Sequence, residues 1–128
     1  RFDPGELIKT IKKYKMYVGT NYMLGFPDET RAEMETTVTF AKKMQSYGLD
    51  HSNFYLVMPV PGTPMFDYCI KNNHLPLDYN PDRFQWTKAN LKNTQVNPGE
   101  LEKIRDGAWE LCNSNEFKNL RKSWVAGS

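Results

Sequence analysis

Cysteine is scarce in this chain: Cys69 and Cys112 are the only two among 128 residues. Neither has a Cys-x-x-Cys or Cys/His spacing around it, so neither a zinc site nor a disulfide scaffold is signalled. A reducing, cytoplasmic setting is the default expectation. The two histidines, His51 and His74, also lack a partner at metal or triad spacing, and surface or loop positions are expected for both. No apolar run approaches the roughly 20 residues that a membrane span needs, and no charged-then-apolar leader opens the chain. Charge of one sign is missing too. Lys and Arg number 17 against 15 Asp and Glu, and the formal charge of +2 is too near balance to suggest a nucleic-acid footprint. Trp86, Trp109 and Trp124 are therefore expected to pack rather than to stack on bases.

What is present suffices for one modest core, in one domain or part of one. Arg1 in place of a starting methionine, and the terminal Gly127-Ser128, suggest ends trimmed from a longer chain. Asp3-Pro4-Gly5-Glu6 reads as a helix start, with Asp3 as cap and Glu6 at the capping-box position. The helix should run to about Tyr14, with Leu7, Ile8 and Ile11 on one face and Lys9, Lys12 and Lys13 towards water. Tyr17 to Leu24 reads as a strand that ends at the breaker Gly25-Phe26-Pro27-Asp28. Thr30 to Glu33 is a second capping box, and Met34, Val38, Ala41 and Met44 carry helical spacing until Gly48. Asn53 to Met58 is the second predicted strand, closed by Pro59-Val60-Pro61-Gly62.

Helix, strand, helix, strand argues for parallel strands joined by right-handed crossovers, as in an open α/β sheet or a (β/α) barrel. Thr63-Pro64 should open a short helix to about Asn72. The polar stretch through Asn93 reads as a surface excursion. Asn97-Pro98 then starts a helix with Leu101, Ile104, Ala108 and Leu111 on its apolar face. Asn113-Ser114-Asn115 breaks it before a last basic helix holding Phe117, Leu120 and Trp124. Residues 1–75 thus form a strand-helix part, and residues 76–128 a linker with a helical extension.

Period-two geometry puts Gly19, Asn21, Met23 and Gly25 on one face of the first strand, a thin and partly polar face suited to a ligand-filled lumen. The same residues fit a plain strand-turn-helix whose glycines only serve the turn. Asn53, Tyr55 and Val57 form the matching face of the second strand. Both unusual loops leave from carboxyl ends of strands, where α/β folds bind ligands.

Met23-Leu24-Gly25-Phe26-Pro27-Asp28-Glu29-Thr30, then a helix, then Met58-Pro59-Val60-Pro61-Gly62-Thr63-Pro64, resemble the late barrel strands of radical S-adenosylmethionine (radical SAM) enzymes. The likeness is to the branch of cobalamin-binding radical SAM proteins and methylthiotransferases, where a Gly-Phe-Pro-Gly-Glu-Thr loop precedes a Pro-x-Pro-Gly-Thr-Pro loop. It covers roughly Asp3 to Asn72. Asp28 stands where that branch has glycine. The resemblance implies the last strand-helix units of a partial, TIM-like (β/α) barrel that binds SAM across its strand tops, for 5′-deoxyadenosyl radical chemistry in hydrogen abstraction or methyl or sulfur transfer. It places the family's glycine-rich strand motif, near the SAM adenine, on Asn21, Met23, Gly25 and, with one extra residue, Glu29. Val57, Met58, Pro59 and Val60 match the next strand end. Glu29 could equally support the following helix terminus. The C-x-x-x-C-x-x-C motif for a 4Fe-4S cluster does not occur between Arg1 and Ser128. An iron-sulfur cluster, and cobalamin where the full-length enzyme uses it, would be held outside this chain, and the expected partner is the N-terminal part of the same enzyme. The competing expectation is a non-catalytic α/β module that binds a protein through an open sheet edge.

Overall fold

Asp3 does cap the first helix: its carboxylate accepts from the backbone N–H groups of Gly5 at 3.0 Å and Glu6 at 3.3 Å. The computed structural model describes residues 3–126. In chain order these form α1 (Pro4–Lys13), β1 (Gly19–Leu24), α2 (Arg31–Gln45), β2 (His51–Leu56), α3 (Pro64–Lys71), α4 (Pro98–Cys112) and α5 (Asn115–Ala126). The fold is mixed α/β, with two parallel strands in the register Asn21 opposite Asn53 and five helices. Pro sits in the first turn of α1, α3 and α4, and Thr63 and Asn97 cap the latter two through their side chains. Thr30 and Glu33 complete a reciprocal capping box on α2.

Two strand limits differ from the sequence expectation. β1 begins at Gly19 rather than Tyr17, because the Asp50 carboxylate takes the Val18 N–H at 2.8 Å and holds Lys12 at the same distance. Lys12 is thereby drawn from water into a half-buried ion pair. β2 lies two residues earlier than expected. It ends where the Leu56 N–H donates to the Trp86 carbonyl at 2.7 Å.

The sheet has one packed face and one open face. Leu24, Phe54 and Leu56 are packed against Met34 and Ala41 of α2 and against Leu101, Ala108 and Cys112 of α4. At about 25 cal/mol per Å² of apolar area, this layer is the main source of stability. Cys112 takes the buried place expected for Leu111, which is exposed, because the stripe turns by one residue at the end of α4. A smaller group, Ile8, Met44 and Leu49, attaches α1.

The outer edge of β2 is sealed by groups that are not strands. The Asn113 side-chain amide accepts from Ser52 N–H and donates to Ser52 C=O, both at 2.8 Å, and also donates to Trp109 C=O at 2.9 Å. Arg105 Nε donates to the Phe54 carbonyl at 2.8 Å. Asn113 therefore acts as one residue of a surrogate neighbouring strand, beyond its expected role as a helix breaker. Residues 76–93 are likewise more than a surface excursion: Leu91 is buried against Val57 and Cys69, and Trp86 supplies the edge bond at Leu56. The opposite edge of β1 has no strand beside it among the described residues.

His51 is half-buried at the start of β2 rather than on a loop. Its Nδ1 lies 2.8 Å from the Tyr17 hydroxyl, and its ring stacks on Phe117 of α5 with centroids 5.2 Å apart and planes 12° from parallel. This stack fastens α5 to the sheet. A Cβ on Gly19 would stand 2.1 Å from the His51 ring, so the ring can cross β1 only because residue 19 has no side chain. His74 is buried, with Nδ1 3.0 Å from the Lys92 carbonyl.

Asn113→Ala strands the buried Ser52 N–H and C=O, and should cost about 3 kcal/mol, with one to three for each unpaired group. Urea unfolding measures this, and a loss under about 1 kcal/mol would contradict the edge-sealing role. The second expectation is a pH dependence. Burial holds the His51 imidazole below its ordinary value of 6.5, against the opposing pull of Asp50. A folded value below the unfolded one gives stability that is complete above the ordinary histidine range and lost as pH falls through the folded value. Denaturation midpoints should fall on acidification through that window, and His51→Phe, which retains a ring on Phe117, should flatten the fall.

Candidate functional site

The open face of the sheet carries Asn21 and Met23 from β1 and Asn53 and Tyr55 from β2, as the parallel register dictates. Asn53 Nδ2 donates to Asn21 Oδ1 at 3.1 Å, which leaves the Asn21 amide N–H groups and the Asn53 carbonyl to offer to a ligand. Met23 is 41% exposed and sits opposite Tyr55, whose ring packs on Trp86 with centroids 4.9 Å apart. An amide pair is thus followed towards the strand tops by a thioether and an aromatic shelf. Such a surface suits a flat, partly polar ring.

Above it lies a rim made by two loops. Gly25 has φ +87°, a left-handed conformation that favours glycine, and its N–H donates to Glu29 Oε1 at 2.8 Å. Burial pushes the Glu29 carboxyl above its ordinary value, with the bonds from the Gly25 and Phe26 N–H groups working against that and the Glu33 charge adding to it. Glu29 staples its own loop shut, while Glu33 is the residue that serves the α2 terminus.

The second loop starts as the Val57 N–H donates to the Leu24 carbonyl at 3.0 Å. The Val57 side chain is buried with Cys69 and Leu91. Pro59 is fully buried, and its carbonyl accepts from the Tyr79 hydroxyl at 3.1 Å. Met58 is half-buried and Val60 is exposed. The loops are joined: the Tyr68 hydroxyl of α3 donates to the Asp28 carboxylate, and Gln95 N–H donates to the Pro27 carbonyl at 2.8 Å.

Of the residues singled out in the sequence, Asn21 and Met23 lie on the open face. Gly25, Glu29 and residues 57–60 lie at the carboxyl ends of the strands, with Val57 and Pro59 turned inward. Asn53, Tyr55 and Trp86 complete the surface. The first two were visible in the strand alternation, whereas Trp86 reaches it through a fold-back of 30 residues' separation that no local pattern signals. Cys69 and Cys112 are buried, and burial pushes both thiols above their ordinary range, as expected for structural helix cysteines. Among the described residues no three His, Cys, Asp or Glu side chains gather as metal ligands, and no helix is long and apolar enough to cross a membrane.

No protein-family model matches the chain, and no solved structure matches it. A protein of Pyrococcus horikoshii named as an uncharacterized methyltransferase is 41% identical over 70 residues, which is 55% of this chain. The chain spans about 15% of the length of that curated relative, and is similar to a short stretch of a protein named for methyl transfer.

Proposed function

We propose that this chain is part of a radical SAM enzyme and contributes the adenine side of its S-adenosylmethionine site. One observation carries the reading: two adjacent parallel strands send their glycine- and proline-rich loops to one rim, above an open face bearing Asn21, Met23 and Tyr55. The motif resemblance and the methyltransferase name of the relative support it. In this reading the two strands are the last of a partial (β/α) barrel whose lumen is the open face, and β2, sealed on its outer edge, ends the sheet.

The residues present fit the adenosyl group. Asn21 and Asn53 offer donors and an acceptor to a base edge, while Met23 and Tyr55 offer apolar cover. Gly25 keeps the strand end free of a side chain, and Met58 and Val60 border the rim. Glu29, Val57 and Pro59 act by holding the loops in place. SAM held there would supply the adenosyl group for radical chemistry in hydrogen abstraction or methyl or sulfur transfer, with an iron-sulfur cluster as the electron source. The cluster's ligands, and any cobalamin, belong to the full-length enzyme outside this chain.

The partner is the N-terminal part of the same enzyme, pairing on the free edge of β1. Beside that edge runs a groove of about 330 Å³ lined by Leu7, Ile8, Ile11, Val18, Phe40 and Met44 among others, apolar enough to receive a further strand-helix unit. The same edge and groove favour a second reading, a non-catalytic module that binds a separate protein there.

In the full-length protein, Asn21→Ala and Met23→Ala should each weaken SAM binding by about five- to ten-fold, the worth of one good polar or apolar contact. Lys43→Ala, on the exposed face of α2, should leave it unchanged. Calorimetry measures this, and equal affinities for all three variants would sink the site. For the partner, the chain alone should self-associate at micromolar concentration, with fast amide exchange at Asn21 and Met23. A monomer in sedimentation with both amides protected would instead mark a complete module.

A further inference from the structure

The rim loops meet through a pair of side chains that neither strand motif requires. Asp28 lies at the turn of the first loop, and Tyr68 lies on the second turn of α3, directly after the second loop. The Tyr68 hydroxyl donates to Asp28 Oδ2. Its ring stacks on the buried His74 with centroids 5.9 Å apart and planes 16° from parallel. His74 is in turn fixed by its backbone N–H to Cys69 C=O and by its own C=O from Lys92 N–H, both at 2.8 Å. Tyr68 is therefore anchored from behind and presents one donor to the opposite loop. The other tie between loop and body, Gln95 N–H to Pro27 C=O, is one residue from Asp28.

We propose that Asp28 and Tyr68 form a clasp that sets the width of the ligand mouth between the two rim loops, and that both are positioning residues for the ligand bound there. This rests on the radical SAM reading for the ligand and for its place between the two loops. A glycine at position 28, which the resembling branch carries, has no side chain to make the clasp, so this chain closes its mouth by a means that its motif alone does not provide. A hydrogen bond to a carboxylate is among the stronger neutral-to-charged contacts. Consistent with it, the bond to Asp28, and then burial, raise the Tyr68 phenol above its ordinary value.

The test uses the full-length protein with S-adenosylmethionine as the probe, and reads amide exchange and affinity separately. Asp28→Ala and Tyr68→Phe should each speed exchange of the Glu29 and Gln95 amides while leaving the β2 amides as they are. Each should raise the SAM dissociation constant about five-fold. The double variant should be no weaker than either single one, since the two groups act as a unit. Asp28→Asn, which keeps an acceptor, should restore most of the affinity. Unchanged exchange at Glu29 and Gln95 in Tyr68→Phe overturns the clasp, whether or not SAM binds, and so do losses of affinity that add. If the unsubstituted protein fails to bind SAM, the ligand assignment falls, and faster exchange at those two amides still upholds the clasp.

Discussion

One side-chain amide defines where this sheet stops. A parallel strand has a row of N–H and C=O groups on each edge, and every buried group must be paired. β2 has β1 on one side. On the other, Asn113 meets Ser52 as a strand residue would, and Arg105 and the Trp86 carbonyl serve Phe54 and Leu56. These three come from the body of α4, from the residue after its last turn and from the 76–93 segment. Their bonds fix α4 along β2, and the placement of α4 in turn completes the core over Leu24, Phe54 and Leu56. The sheet is consequently one-sided in its edges as well as in packing: sealed along β2 and, among the described residues, without a neighbouring strand along β1.

That asymmetry gives the open face its character. Burial belongs to the even-numbered residues of both strands, and the odd-numbered ones, Asn21, Met23, Asn53 and Tyr55, are left to solvent or to a ligand. Parallel sheets are normally covered on both faces, and here the described residues leave the face beside the two stapled loops uncovered. At its lower end the face is partly covered, by the Tyr17, His51 and Phe117 stack.

What could be read from the sequence was local. Four helix starts were legible because Asp3, Thr30, Thr63 and Asn97 act on N–H groups two or three residues away. The loops at Gly25 and Pro59 were legible because left-handed or proline-fixed backbone needs few residue types. Strand limits were less so, since the ends of β1 and β2 are decided by Asp50 and Trp86, residues distant in sequence. The Asn113 bond to Ser52 spans 61 residues, and in sequence the asparagine looks only like a helix breaker. Leu111 lies three and Cys112 four residues after Ala108, so both continue the apolar stripe and spacing alone does not choose between them. For the site, alternation in the strands indicated Asn21 and Met23, but whether Val57 turned in or out depended on the 76–93 segment folding back over it.

The crossing of His51 over Gly19 ties two positions 32 residues apart into a single choice. A ring at 51 demands an empty Cβ position at 19, since the two would otherwise stand 2.1 Å apart. A small residue at 51 would release 19 from that demand and admit the β-branched side chains that strands favour. Among chains that share this fold, position 19 should then change only where 51 has changed too, and a histidine here paired with a bulky residue at 19 would mark a differently seated last helix.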